Sequence, residues 1–387
     1  MPSELRVDKV SSTTSPYTPV FSTTGGALSH RNMIINGAMQ VAQRGTSFSD
    51  KLGANTSYTL DRFATEWYNG SETAKATISQ YSLGTTESPR VNEGLIYAYK
   101  LDCTTAIANQ NANTNNLETI DYKVEAQDCQ RLRYGTASAQ TVSFSFWFKS
   151  PKAGIHIVSL MQLDNSNKIY LREFTITTAN TWQKIHVTFP GDTSGVINND
   201  NGAGLRISWP LYAGTARHGS KDEWRAYGVD HTTSNQQNLL DNTANDIYLT
   251  GVQLELGSVA TPFEHRSYAE ELRRCQRYYY RPENTVNAYL GKGHMYATGT
   301  VRLLVPHPVT MRTASVTLEQ DYGSQHFYVI ESASLLGYIH ANWTIALNGQ
   351  NATCIGGGTN DGHYTAGNGA DVKISESTAY LALSAEL

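Results

Sequence analysis

Charge is scarce in this sequence. Only 17% of its 387 residues are charged, with 30 Lys and Arg against 34 Asp and Glu. A net charge of -4 offers no field to hold a polyanion, so nucleic-acid binding is not expected. Cysteine is scarce too. Cys103, Cys129, Cys275 and Cys354 include no C-x-x-C pair and no metal-knuckle spacing, so buried free thiols are expected. No window is long and apolar enough to span a bilayer, and the opening residues MPSELRVDKVSS lack the apolar core of a signal peptide. The expectation is a chain made and kept soluble in a cytosol, or released from one by lysis, with no membrane insertion. On that expectation the N-x-[ST] triplets at Asn55, Asn69, Asn342 and Asn351 are chance matches.

Catalytic signatures are absent as well. There is no H-E-x-x-H, no G-x-S-x-G and no P-loop. His294, His307, His326, His340 and His363 have no ligand spacing, so no metal and no cofactor is expected. The run IGGGTNDG near Gly356 follows no βαβ pattern, which argues against a phosphate site. A glycan-cleaving enzyme needs two carboxylates at a set separation across a cleft. Asp222 and Glu223 fall in a long loop, and Asp61 and Glu66 flank an early strand. None sits in an acid/base motif, and solvated surface charge is the expected reading of all four.

What is present is the chemistry of strands and turns. There are 23 Tyr and 31 Gly, with abundant Ser, Thr and Asn. Tyr and Thr suit pleated half-buried strands, and Gly and Asn suit turns. TVSFSFWFKS (141–150) alternates, with Val142, Phe144, Phe146 and Phe148 on one face and Trp147 on the other. WQKIHVTFP (182–190) sets Ile185, Val187 and Phe189 inward. LIYAYKLD, GLRISWPLY and DIYLTGVQLEL add further strands. The stretch RNMIINGAMQVAQRGTS (31–47) places an apolar run against the Asn36-Gly37 turn pair, which predicts a hairpin or the first strand of a module. Short strands between Gly/Asn/Asp turns indicate an all-β fold built on an antiparallel jelly-roll sandwich.

Four regions are expected. Residues 1–30 are polar and weakly patterned, an arm that orders by docking. Residues 31–265 form the jelly roll. Residues 266–282 form a linker helix, opened by a Ser267/Glu270 capping box, supported by a Glu270–Arg274 pair and stopped by Pro282. Its stripe Tyr268, Leu272, Cys275 and Tyr279 is expected to bury against its own sandwich or against the same helix of other subunits. Residues 283–387 form a smaller β domain, in which the turn-rich run 348–371 is expected to be a surface loop. Two long connections, Cys103–Thr119 and Tyr212–Asn245, are longer than compact domains use without reason.

NMIINGAMQVAQRGTS, YTLDRF, TVSFSFWFKSPKAG, TWQKIHVTFPGD and YLTGVQLELGSVATPFEHRSYAEELRRCQRYYYR, in that order, resemble a module of tail-fibre-like bacteriophage virion proteins, particularly marine ones. That module is similar to the carbohydrate-binding jelly rolls fused to glycoside hydrolases. SELRVDKV resembles the leader of such proteins, and VPHPVTMRTASVTL a segment of the domain that follows the helix. The resemblance implies a virion-surface protein, homotrimeric, held by its arm to a tail adaptor or capsid protein, whose task is host attachment or receptor binding. Related jelly rolls hold calcium with an acidic residue after the NG and an Asp-Asn pair in the last strand. Ala38, Met39, Thr250 and Gly251 stand there instead, so no calcium is expected.

Sugars stack on exposed aromatic rings and take hydrogen bonds at their edges. Trp224, Arg225, Tyr227, Trp209, Tyr212 and Trp147 are the candidate glycan-binding residues, with Trp67 and Tyr68 near a rim. Burial under a loop or a neighbouring subunit competes with that role for each of them. Two other functions compete with attachment: capsid decoration or a head fibre with a purely architectural role, and a glycan depolymerase. Host polysaccharide is the expected partner under attachment.

Overall fold

The computed structural model describes residues 30–387 apart from 50–55, 69–73, 108–113, 165–166, 283–284, 322–325, 333–334, 340–341, 360–363 and 378. The arm assigned to residues 1–30 lies outside the described residues except for His30. Strands β1 (Ser47–Phe48), β2 (Thr56–Tyr58), β3 (Phe63–Tyr68), β4 (Lys75–Ser82), β5 (Tyr97–Thr105), β6 (Leu117–Glu125), β7 (Val142–Lys149), β8 (Gly154–Gln162), β9 (Lys168–Ile176), β10 (Gln183–Phe189), β11 (Ala203–Ala213), β12 (Arg225–Ala226) and β13 (Asp246–Leu256) form two antiparallel sheets. The first runs β1-β4-β5-β13-β7-β10 and the second β12-β9-β8-β11-β6-β3-β2. Together they make the jelly-roll sandwich expected from the alternating strands.

Side-chain alternation fills the space between the sheets. Phe144, Phe146 and Phe148 of β7 meet Trp209 of β11 and Phe174 of β9 in one core. The opposite parity of the same strands also lands on apolar groups. Trp147, Trp182, Tyr248, Leu83 and Leu95 cluster on the outer side of the first sheet, and Ile157, Met161, Ile169 and Leu171 on the outer side of the second. Both outer faces are therefore covered by chain.

The stretch around Asn36-Gly37 is not a strand. Asn36 and Met39 hold left-handed backbone (φ 61 and 57°), which breaks any ladder. Side-chain amides replace it. Asn32 accepts from the Ile34 and Leu254 amides (2.9 and 3.1 Å), and Asn36 both donates to Val41 O and accepts from Val41 N (2.9 Å each). Asn36 also donates to Asp61 O at 3.0 Å. The segment crosses β13 at a bulge between Thr250 and Gln253, where Val252 N donates to Gly37 O (3.0 Å).

Helix α1 (Ser88–Glu93) lies on the outer side of the first sheet, and α2 (Tyr268–Gln276) follows the sandwich. The capping box forms, with Ser267 Oγ accepting from Glu270 N, and Glu270 pairs with Arg274 at 2.8 Å. The helix ends at Gln276, six residues short of the expected 282. Tyr279 lies instead in strand β14 (Tyr279–Tyr280). Tyr268 is exposed and Leu272 half-buried, but Cys275 and Tyr279 are fully buried within the chain, so those two cannot contact another subunit.

The remaining strands are β15 (Tyr289–Ala297), β16 (Thr300–Pro306), β17 (Thr317–Asp321), β18 (Phe327–Ser332), β19 (Leu335–Tyr338), β20 (Thr344–Leu347), β21 (Ala352–Gly358), β22 (Gly369–Ile374) and β23 (Tyr380–Ser384). They form a three-stranded sheet β14-β23-β17 and a seven-stranded sheet β19-β18-β22-β15-β16-β21-β20 over one shared core. The expected surface loop at 348–371 thus contains a sheet-interior strand, β21. Its glycines mimic turn composition, but they leave room for a large neighbour: a Cβ at Gly357 would sit 3.0 Å from the Trp343 ring.

Gly37 tests the crossing. A Cβ there would lie 2.1 Å from Val252 O, a backbone atom that cannot swing away. Gly37→Ala is expected to lower stability by at least ~1–3 kcal/mol in urea unfolding. Gly84→Ala, whose Cβ would meet only a Glu87 side chain at 3.5 Å, should stay within ~0.5 kcal/mol. Equal stability of the two variants would refute the close crossing.

Candidate functional site

The long connection after β11 folds back over the outer face of the second sheet. Strand β12 pairs with β9, and Tyr227 N donates to Asn167 O at 2.7 Å. Asp222 N reaches Leu171 O, and Gln237 N reaches Ile155 O (3.0 and 3.1 Å). Glu173, on the outward parity of β9, accepts from Thr233 Oγ1 and Asn235 Nδ2 at 2.8 Å each and pairs with Lys221. Tyr227 lies on the Ile157/Met161/Ile169/Leu171 cluster and shares a 2.7 Å hydrogen bond with His231 Nε2.

Three of the six candidate aromatic and arginine residues serve this loop. Trp224 is half-buried, packs edge-on to Tyr134 and Tyr170 (5.9 and 5.4 Å between centroids), and donates its indole N–H to Pro190 O at 2.7 Å. Arg225 pairs with Asp230 and donates to Ser220 O at 3.1 Å. Tyr227 holds His231. They anchor the loop, and the Trp224 and Tyr227 rings remain half-buried.

Two others are corrections. Trp209 is 1% exposed and sits between Phe144 and Phe146, because its position on β11 has inward parity. Trp147 does face away from the Phe row, yet it is 8% exposed, covered from α1, where its indole N–H donates to Glu93 Oε2 at 2.7 Å. Trp182 is held alike by Glu87 Oε1 at 2.8 Å, and Trp67 is buried. A flat ring on an outward parity invites a stacking role, but here the next segment of chain takes that place.

Asp61 and Glu66 are also corrected, from surface charges to buried ones. Asp61 is fully buried against Gln43, whose backbone N donates to it at 2.7 Å, and burial pushes its carboxyl up to about 6. Glu66 and Asp121 both bind Arg206 Nη2 (2.7 and 2.6 Å), and Lys123 adds a 3.2 Å pair to Glu66. Burial raises the Asp121 carboxyl and Arg206 opposes that shift. Asp222 and Glu223 are exposed as expected. Among the described residues no group of three or more His, Cys, Asp or Glu is placed to hold a metal.

Tyr212 is the remaining candidate. It is buried at the end of β11 and lines a cavity of about 160 Å³ with Ala213, Gly214, Thr215, His218, Ser234, Gln236, Gln237 and Asn238. Reasoning on aromatic rings found only Tyr212 among these nine wall residues. The SNQQN run at 234–238 was its sequence signal: five polar residues, four of them consecutive amides. His218 is held neutral near pH 7, its pKa lowered by burial.

The sequence matches no protein-family model and no curated protein. Among solved structures it is similar to the enzymatically active domain of bacteriophage CBA120 tailspike protein 4, at 8% identity and a TM-score of 0.30, over 58% of this chain and 21% of that one. It thus spans about a fifth of the tailspike chain. It is also similar to a family 4 carbohydrate-binding module at 12% identity and TM-score 0.29, over 57% and 98% of the two chains. A family 11 module of Clostridium thermocellum, in complex with a β-1,3-1,4-mixed-linked tetrasaccharide, matches at 14% identity and TM-score 0.27, over 56% and 98%. Every one of these scores is below 0.5, so the all-β assignment rests on the strand pairing of this chain.

His231 gives the loop a pH signature. Burial first, then Arg206, Arg217 and Arg225, lower its pKa well below 6.5. Above pH 6.5 neither folded nor unfolded chain protonates it and nothing is lost. Below that value the unfolded chain binds a proton that the folded chain refuses, so stability falls by up to ~1.4 kcal/mol per pH unit for this residue. His156, lowered by burial to about 4, acts with the same sign. Asp61, raised to about 6, acts with the opposite sign as pH falls from 6 to 3.8. The urea midpoint of the wild type is expected to drop between pH 7 and pH 5 by more than that of His231→Gln. An equal drop in both would show that the imidazole is not held neutral.

Proposed function

We propose that the chain is a bacteriophage virion-surface protein of the tail-fibre kind, which attaches to host-surface glycans without cleaving them. Residues 1–30 would anchor it to a tail adaptor or capsid protein, 31–265 would form the carrying jelly roll, 266–282 the link, and 283–387 the distal β domain. The virion part of this reading rests on the resemblance of the GVQLELGSVATPFEHRSYAEELRRCQRYY segment. The glycan part rests on one observation: a small pocket walled by a tyrosine, a histidine and side-chain amides on a clamped loop. Such a wall offers hydrogen bonds from a rigid frame, as small-molecule sites do. Several copies on one particle would turn weak single contacts into firm attachment. The non-enzymatic reading is supported by the Glu66/Asp121 carboxylates, which are buried and committed to Arg206. A glycan array with the full chain should show binding to host surface polysaccharide with no reducing sugar released. Silence across the array would end the attachment reading, and sugar release would make the protein a depolymerase.

A second reading, assembly and decoration, is favoured by the outer face of the seven-stranded sheet. Leu304 and Leu347 both flank Cys354 in register and are 58% and 68% exposed, with Tyr289 and Tyr296 exposed on β15. Exposed apolar rows of this kind mark contact surfaces. We propose that this face, in place of the α2 stripe, joins subunits of a homotrimer. Light scattering on the eluting protein should give the mass of three chains for the wild type and one for Leu304→Lys/Leu347→Lys. A monomeric wild type would refute it.

A further inference from the structure

Resting on the glycan-attachment reading, we infer that the outer face of the seven-stranded sheet binds an anionic polysaccharide along β15, apart from the β11 pocket. Strand parity builds this face. Val301, Leu303 and Val305 of β16 and Ala370, Val372 and Ile374 of β22 are buried in the core, so Arg302, Asp371 and Lys373 point outward. On β15, between those two strands, Lys292 and His294 are exposed. The register sets His294 opposite Arg302 on one side and Gly369 on the other. It sets Lys292 opposite Asp371, and Tyr289 opposite Lys373. Basic side chains therefore follow β15 as a band, from Lys373 beside Tyr289 to Arg302 beside His294. At about 3.3 Å per residue that band is roughly 15 Å long.

Charge selects the occupant. The chain as a whole is slightly acidic, yet strands β22, β15, β16, β21 and β20 contain a single acidic residue, Asp371. Lys292 answers it at 3.3 Å across an open surface, where such pairs are weak. Arg302 and Lys373 meet rings instead of carboxylates. Arg302 Cζ lies 3.4 Å from the Tyr296 centroid, and Lys373 Nζ lies 4.3 Å from that of Tyr289. Neither makes an ion pair among the described residues. A ring steadies a cation without consuming its N–H donors. Those donors remain for an acceptor that brings negative charge. A neutral sugar leaves the charge unanswered. A subunit contact over the band would desolvate both cations with no carboxylate of the band left to meet them. Leu304 and Leu347 lie toward the β20 edge of the sheet, and a contact through them does not require the band.

Shape agrees with a sugar chain. A Cβ at Gly369 would have no atom within 4 Å, and one at Gly356, opposite Arg302, would find its nearest neighbours at 3.8 Å. The floor beside His294 and beside Arg302 is therefore bare backbone, low enough for a flat ring. Tyr289 and Tyr296, 54% and 55% exposed, stand at the two ends of the same strand segment. Their amphipathic rings suit the edges of a sugar. Repeated anionic groups along a polymer fit a row of cations better than one anion does.

Calorimetric titration of the full chain tests this with tetragalacturonate, a sulfated galactotetraose, neutral tetragalactose and a single-stranded oligothymidylate. At least one anionic sugar should bind, with the neutral one roughly tenfold weaker or more, and raising salt from about 50 to 500 mM should weaken anionic binding by a similar factor. The tighter of the two anionic sugars names the group that the band takes. Arg302→Gln and Lys373→Gln should each weaken binding about fivefold or more, while Arg273→Gln, exposed on α2, should leave it unchanged. Gly356→Glu, which keeps every cation and sets an acid on the bare floor, should abolish it in a chain whose urea midpoint is preserved. Neutral tetragalactose bound as tightly as its anionic counterparts overturns this inference and leaves glycan attachment standing. So does a positive array with no binding by either anionic probe. Oligothymidylate bound as tightly as the sugars overturns the sugar as occupant. Anionic binding unmoved by all three band variants overturns the placement. No binding by any probe here, together with a silent array, removes both readings.

Discussion

Arg62 carries a positive charge that cannot reach water. It is 1% exposed, and what it meets instead organises the molecule. Its guanidinium pairs with Glu386, donates to Lys123 O at 2.6 Å and lies 3.5 Å from the Tyr278 ring. Arg44 repeats the arrangement with Glu386 at 3.2 Å and the Tyr279 ring at 3.6 Å. Tyr278 in turn donates to Glu125 Oε2 at 2.6 Å, which Arg277 also holds. A buried charge without its partner costs about 3–5 kcal/mol. The β2–β3 turn, the end of β6, the residues after α2 and the residues after β23 must therefore come together as one set. The two β units are joined by ionic and cation–π contacts, with their apolar cores kept separate.

The same rule explains why Trp147 and Trp182 are closed. A two-sheet sandwich has two outer faces, and this one is apolar on both. Helix α1 covers one and the 214–240 connection covers the other. Each cover then needs polar fixings of its own: Glu87 and Glu93 for the Trp182 and Trp147 indoles, Glu173 for the loop. Where the loop returns to the end of β11 there is unfilled space, and side-chain amides form part of its wall.

Much of the fold was legible in single residues. Val142, Phe144, Phe146 and Phe148 alternate and do face the core, because period two leaves a strand no other choice. Ser267 and Glu270 stand three apart and do cap α2. The failures share a cause: they depend on segments remote in sequence. Asn36 adopts left-handed backbone because its amide finds Val41 and Asp61, which the local apolar pattern does not announce. Trp147 was rightly assigned to the outward parity, but parity does not say what lies beyond. Glycine at 356–358 reads as turn until a tryptophan packed against it makes it strand. Of the site, the loop was legible from its length and Tyr212 from its place at a strand end. The amide wall was not, since polar runs in loops are common and only their convergence distinguishes one.

The pairing of Arg62 with Glu386 spans 324 positions of chain. During synthesis that separation becomes a delay. At about 5–20 residues per second, roughly 16–65 s pass between the emergence of the arginine and that of its partner. The strands of the sandwich are complete long before then, so until Glu386 emerges Arg62 lacks its carboxylate, and the β2–β3 corner takes its final packing only with the residues after β23.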